Sequence, residues 1–454
     1  SYDNVLAVGG TDSLKVLGPD QTFSLKMDIC APSVAVISTI QNASQYGPRQ
    51  GSSFATPQVS GAAALVRSKW PNLTAQQVAE QVRITADQSI YSLPGNQPFP
   101  EMLGRGFLDM YAALTDTLSP SVRNISKNID DQKAIYSGET VVVSGDFRNF
   151  LRPVTSVTVT LTTTSPHVTI TDNTSELGAI GTLATVNSVN DPFTFVVSST
   201  APANEIVRFR LGYSGPGYTD YQYFDVVVNP DYITLDANQL DVTLSARGTI
   251  GYNGRNTSQG VGVSFNGGPS LLYEGGVIVG SSSTRVSDVV RSQPMITNQH
   301  FLRTEAMHYI AGTMATQQAT GLMQDTAANA YRAGVEIRTN GYANAQPPHD
   351  KYVIVEYIVK NITPDPINDL YLGIFADWDL NMASLNAADW DGSRSLGYVY
   401  SFTPNQPHAG IALLTAHDPS YYAINNYAGT GPVGPSEPRG LHPAPPGGGG
   451  PAAR

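Results

Sequence analysis

The hydrophobic period of the chain changes around the stretch "TDTLSPSVRN", and that change divides what the sequence can fold into. In residues 1–117, apolar runs such as "NVLAV" and "VAVISTI" alternate with helical segments, the pattern of an α/β unit around a buried parallel sheet. Residues 122–230 are strands and turns instead. In "SVTVTLTTT", Val157, Val159 and Leu161 alternate with Ser and Thr, the period of a half-buried strand. Such strands, spaced about 10–15 residues apart, predict an immunoglobulin- or fibronectin-like sandwich.

A second β-rich region, residues 232–427, holds the strand-like runs "KYVIVEYIVKNIT" and "DLYLGIFADWDL". It is expected to form a second sandwich, with a short helix at "DTAANAYRA". Residues 431–454 turn to Pro and Gly and cannot build a core, so they read as a disordered tail or as the out-of-frame end of a truncated reading frame. The clearest helix signal lies in "PNLTAQQVAEQVRITAD". Thr74 followed by Gln77 is a capping-box start, and Val78 and Val82 share one face.

A net charge of −11 and a pI near 5.0, with no cluster of Lys or Arg, exclude a nucleic-acid partner. No apolar run reaches the ~18–20 residues of a membrane span. Cys30 stands alone, so no disulfide forms within the chain, and it reads as a buried small hydrophobe. Abundant Ser, Thr, Val, Asn and Gly with only 14% charged residues suit an extracellular β-rich protein. The chain opens without Met on the strand-like "SYDNVLAVGG", which predicts an internal piece of a longer protein whose targeting signal lies elsewhere.

The chemistry lies in "QGSSFATPQVSGAAALV". Gly51 lets backbone approach closely, and Ser53 falls at the start of a helix whose free N–H groups and positive dipole end suit an oxyanion. Pro57 is tolerated in the first turn, and the small residues 60–64 predict close helix packing in the middle of the domain.

Gly51, Ser52, Ser53, Phe54, Ala55, Thr56 and Pro57 resemble the nucleophile motif of the subtilisin-like serine proteases, G-[TS]-S-x-[AS]-x-P. "NVLAVGGTDS" and "MDICAPSVAVISTI", with Ala31 and Pro32, resemble the family's strand-turn pair. "LGRGFLDMYAAL" resembles its closing segment through Gly104, Gly106, Leu108, Asp109 and Ala113. Two departures stand out: Ser33 replaces the usual Gly, and the turn around "QTFSLKMD" is short.

The resemblance implies a partial subtilisin-like parallel-sheet domain followed by two all-β sandwich-like domains. It also implies an endopeptidase that hydrolyses polypeptide substrates by acyl transfer, with Ser53 as the catalytic nucleophile and neither cofactor nor metal in the reaction. The family orders its triad Asp, His, Ser. No His precedes Ser53, all seven follow it, and Asp3, Asp12, Asp20 and Asp28 lack the Asp-[ST]-Gly context. The Asp, the His and the oxyanion Asn are therefore expected ahead of Ser1, and the chain alone is expected to be inactive. The alternative is a secreted adhesion or binding protein on a protease-like scaffold.

In "ADWDLNMASLNAADWDGS", Asp377, Asp379 and Asn381 alternate as calcium ligands do, so calcium is a candidate partner. Met382 replaces the glycine an EF-hand loop needs and no Glu follows at its twelfth position, which suits acidic turns flanking a strand with Trp378 in the core.

Overall fold

A computed structural model describes residues 5–18, 20–41, 45–130, 134–252, 259–293, 296–415, 419–424 and 441–443. The chain forms two compact units, Ser1–Asn229 and Pro230–Arg454.

In the first unit, β1 (Val8–Thr11) and β2 (Ile29–Pro32) pair in parallel, from Val8 opposite Ile29 to Thr11 opposite Pro32. Residues 104–108 run along β2: Cys30 N donates to Gly106 O at 2.8 Å and Leu108 N to Cys30 O at 2.7 Å. The G-x-G pattern is a steric requirement there. Gly104 has φ +71° and a Cβ on it would lie 2.4 Å from the Asp28 carbonyl carbon, while Gly106 has φ +151° and its Cβ would lie 2.5 Å from Asp87 O. A hairpin of β3 (Val36–Thr39) and β4 (Tyr46–Arg49) then leads to α1 (Ser52–Lys69).

Ala55, Val59, Ala62 and Val66 recur at helical spacing and are the buried residues of α1, in one core with Ile29, Ala31, Val78, Val82 and Ala113. The small-residue run packs less centrally than the sequence suggests. Ser60, Gly61 and Ala64 face solvent and Leu65 is 46% exposed, because among the described residues α1 meets neighbours along one side only. The helix α2 (Ala75–Ile84) starts with the expected capping box: Gln77 N donates to Thr74 Oγ1 at 3.2 Å, and Thr74 N to Gln77 Oε1 at 3.0 Å. Asp109 caps the short α3 (Met110–Thr115).

The connection that follows is pinned rather than loose. Asp116 accepts from Leu118 N and Ser119 N at 2.7 and 2.9 Å, Arg152 Nε donates to Thr117 O at 2.8 Å, and Ser121 N donates to Asn149 Oδ1 at 3.1 Å. Nine strands succeed it: β5 (Val122–Ile129), β6 (Thr140–Asn149), β7 (Thr158–Thr163), β8 (Val168–Asp172), β9 (Thr174–Glu176), β10 (Thr185–Asn187), β11 (Phe193–Val197), β12 (Glu205–Gly215) and β13 (Tyr218–Val228). They make two antiparallel sheets, one ordered β10-β6-β11-β8 with β5 also on β6, the other β13-β12-β7-β9. Phe147, Phe193, Phe195, Phe209 and Leu161 fill the core these sheets share, and Val157, Val159 and Leu161 are all fully buried, as their alternation requires.

The second unit is also built of sheets. A seven-stranded sheet beginning at Tyr232–Leu235 and a four-stranded sheet of Leu302–Tyr309, Gln317–Gln324, Val335–Ala343 and Val353–Asn361 contribute to common cores. The expected short helix is a 3-10 turn, Asp325–Tyr331, broken at Asn329 with φ 52°. Buried Asp325 fixes it by accepting from Ser287 Oγ, Gly334 N and Val335 N at 2.8, 2.8 and 3.0 Å. Within the Pro/Gly-rich end, Leu441–Pro443 pairs with Tyr422–Ile424, and the rest of residues 431–454 lies outside the described residues.

Candidate active site

Ser53 is the second residue of α1, exposed at the helix N-terminus. Gly51 precedes the helix with φ +126°, and a Cβ there would meet nothing within 4 Å, so conformation rather than crowding demands the glycine. The turn is fastened to the end of β2: Gly51 N donates to Ser33 O at 2.9 Å, and Gln58 Nε2 donates to Pro32 O at 2.8 Å. The first turn of α1 carries no acidic side chain that would compete for an anion, and among the described residues the Ser53 hydroxyl has no hydrogen-bond partner. This arrangement presents an unengaged hydroxyl beside the positive end of a helix.

Among the described residues of the first unit, no histidine or carboxylate is hydrogen-bonded to it. His167 is the one histidine in residues 1–229, and its Nδ1 sits 2.7 Å from Glu205 Oε2 in the two-sheet part. In the second unit His300 faces Asp288 at 3.6 Å, His308 faces Glu305 at 3.7 Å, His349 contacts the Tyr352 hydroxyl, and His408 stacks with Tyr398. His417 and the side chain of His442 lie outside the described residues, as does Asp3. Asp12 accepts from Leu14 N and Val16 N, and Asp28 accepts from Ala7 N at 2.8 Å while burial raises its carboxyl pKa. Cys30 is fully buried, donates from Sγ to Leu103 O at 3.2 Å, and has its thiol pushed up to about 12 by burial, so it is no competing nucleophile.

At the acidic stretch of the second unit, burial raises the Asp379 carboxyl pKa, Asp389 accepts from Trp390 N at 2.8 Å, and Asp391 pairs with Arg394. Trp378 packs half-buried against a core. Among the described residues no group of three or more His, Cys, Asp or Glu side chains is placed to hold a metal ion.

The structure also contains an ionic cluster that the sequence reading missed. Arg83, on α2, donates from Nη1 to Asp220 Oδ1 at 3.1 Å, from Nη2 to Asp220 Oδ2, and from Nε to Glu80 Oε2 at 2.9 Å. Arg105 adds a bond from Nη2 to Thr219 O at 2.6 Å, and its Nε lies 3.9 Å from Asp220 Oδ1. Burial works against the Asp220 charge, but Arg83 outweighs it and holds that carboxyl down at about 2. The local signal was only the Glu80–Arg83 spacing, an ordinary helix-surface pair.

Residues 1–107 match the Subtilase family model. Subtilisin DY of Bacillus licheniformis is 41% identical over 85 residues, which are 19% of this chain and 31% of that protein. Subtilisin NAT of Bacillus subtilis subsp. natto is 34% identical over 112 residues, 25% of this chain and 27% of that protein. Among solved structures, MycP1 from Mycobacterium smegmatis aligns with 25% of this chain and 31% of its own at 26% identity, with a TM-score of 0.21. The chain thus spans about a third of the length of these curated relatives. Residues 1–107 are similar to the subtilases, the subtilisin-like serine proteases.

Proposed function

We propose that Ser53 is the nucleophile of an extracellular serine endopeptidase. Its Oγ attacks the scissile carbonyl carbon of a polypeptide as a histidine takes the hydroxyl proton, and the oxyanion forms at the N–H groups that open α1. The C–N bond then breaks as the histidine protonates the leaving amine. Water, deprotonated by the same histidine, next splits the acyl-enzyme and restores the serine.

The histidine and its orienting aspartate are read as coming from polypeptide other than residues 1–454, since none of the chain's histidines precedes Ser53 and His167 is committed to Glu205. The regions 122–230 and 232–427 are read as accessory sandwich domains. The observation that carries this function is the exposed, unbonded Ser53 on a glycine turn tied to β2, within a segment that matches the subtilases.

The test is a fluorophosphonate probe, applied to the chain alone and to the chain joined at Ser1 to a subtilisin segment that brings Asp, His and Asn. Label at Ser53 in the joined protein, background label in the chain alone, and loss of label in Ser53→Ala are expected. Label that persists in Ser53→Ala, or a folded joined protein that takes none, overturns the reading; the latter favours a binding scaffold.

A further inference from the structure

The helix α2 serves two cores at once. Val78 and Val82 pack into the core beneath α1, whereas Ile84, two residues on, belongs to the core of the two-sheet part with Phe147, Phe193 and Phe209. At ten residues α2 is shorter than the ~12–15 that hold a helix in isolation, so its stability comes from what it packs against. Its polar face is taken up the same way. Gln77 Nε2 donates to Phe150 O at 2.9 Å, Arg83 forks onto Asp220, and Ser121 Oγ donates to Glu80 Oε2 at 2.5 Å.

A second set of bonds reaches the strand-like segment beside β2. Tyr221 Oη donates to Gly104 O at 2.6 Å, Arg105 donates to Thr219 O, and Arg210 forks onto Glu101 at 2.8 and 2.6 Å. From there the hydrogen bonds continue through Gly106 and Cys30 into β2, and from Ser33 O to Gly51 N, in the turn before Ser53. Arg83 and Asp220 are each 3% exposed, which closes this junction to water.

We propose that residues 122–229 are the obligate folding partner of the subtilisin-like segment, docked on α2 and residues 101–106, and that the two fold as one cooperative unit through Asp220. The two-sheet part is then a component of the scaffold under Ser53 and not a spacer hung behind it. The proposal stands apart from the chemistry assigned to Ser53, because its test reads folding alone.

The experiment is hydrogen exchange on the whole chain with rising denaturant. Amides of α1, α2, β12 and β13 are expected to exchange through one shared opening, with the same denaturant dependence. Asp220→Asn, which removes one of the two carboxylates paired with buried Arg83 and leaves it Glu80 alone, is expected to speed all four by about 100-fold or more. The triple variant Glu80→Gln, Arg83→Met, Asp220→Leu removes all three of these charges and is expected to restore most of the protection. Separate openings for α1/α2 and β12/β13 in the wild-type chain overturn the proposal, as does an Asp220→Asn effect confined to residues 205–228. Should Asp220→Asn fail to fold, the wild-type comparison decides by itself.

Discussion

Gln58 spends both amide hydrogens on backbone carbonyls: Nε2 donates to Pro32 O at the end of β2 and to Phe54 O one turn earlier in α1, each at 2.8 Å. One side chain therefore sets the distance between the strand end and the helix that carries Ser53. Gln58→Leu keeps the bulk and leaves Pro32 O without that donor. Unfolding in urea should show a loss of about 1–2 kcal/mol. In a protein completed with its general base, the fluorophosphonate labelling rate at Ser53 should fall as well.

Three glycines should respond to alanine in two different ways. Gly104 and Gly106 combine positive φ with backbone closer than 3 Å to any added Cβ, so each alanine variant should lose about 3 kcal/mol or more. Gly51 has room around it and only the backbone conformation to satisfy, so Gly51→Ala should cost about 1–2 kcal/mol. Chemical denaturation of the three variants checks the order.

Acid should weaken the first unit through Asp220. Its carboxyl is held at about 2, below the ordinary 3.8, so the stability it contributes is complete above the ordinary value and disappears as pH falls through the held one. Glu80 is displaced downward too, with Arg83 and Arg123 overcoming its burial, and it acts in the same sense. Asp28, raised by burial, acts in the opposite sense, since protonation relieves it. The melting temperature followed by a probe in residues 5–229 should drop between about pH 4 and pH 2, and Asp220→Asn should flatten that drop.

Cys30 should report on the opening of its own sheet. Buried, bonded to Leu103 O and with its thiol pushed up to about 12, it should resist iodoacetamide in the folded protein and react once denaturant exposes β2. Mass spectrometry of the alkylated chain gives the readout.

What could be read in the sequence is what short periods encode. The Thr74–Gln77 cap, the Val78 and Val82 stripe and the Val157-Val159-Leu161 alternation each need fewer than ten residues of context, and each has its expected place in the structure. Gly104 and Gly106 were visible as a pattern, but their reason is contact with residues 28 and 87, far away in the chain. The small-residue run of α1 was misleading in part, because Gly61 and Ala64 suit a close neighbour and open solvent equally well. Arg83 was the blindest point. Its burial depends on Asp220, and no local period links residues so distant.

That distance has a consequence for synthesis. Asp220 follows Arg83 by 137 residues, which at about 5–20 residues per second is a wait of roughly 7 to 27 s. Throughout that interval Arg83 and Ile84 of α2 lack the partners they have in residues 122–229. On the cooperative folding proposed above, the platform under the serine becomes rigid only once β13 has been made.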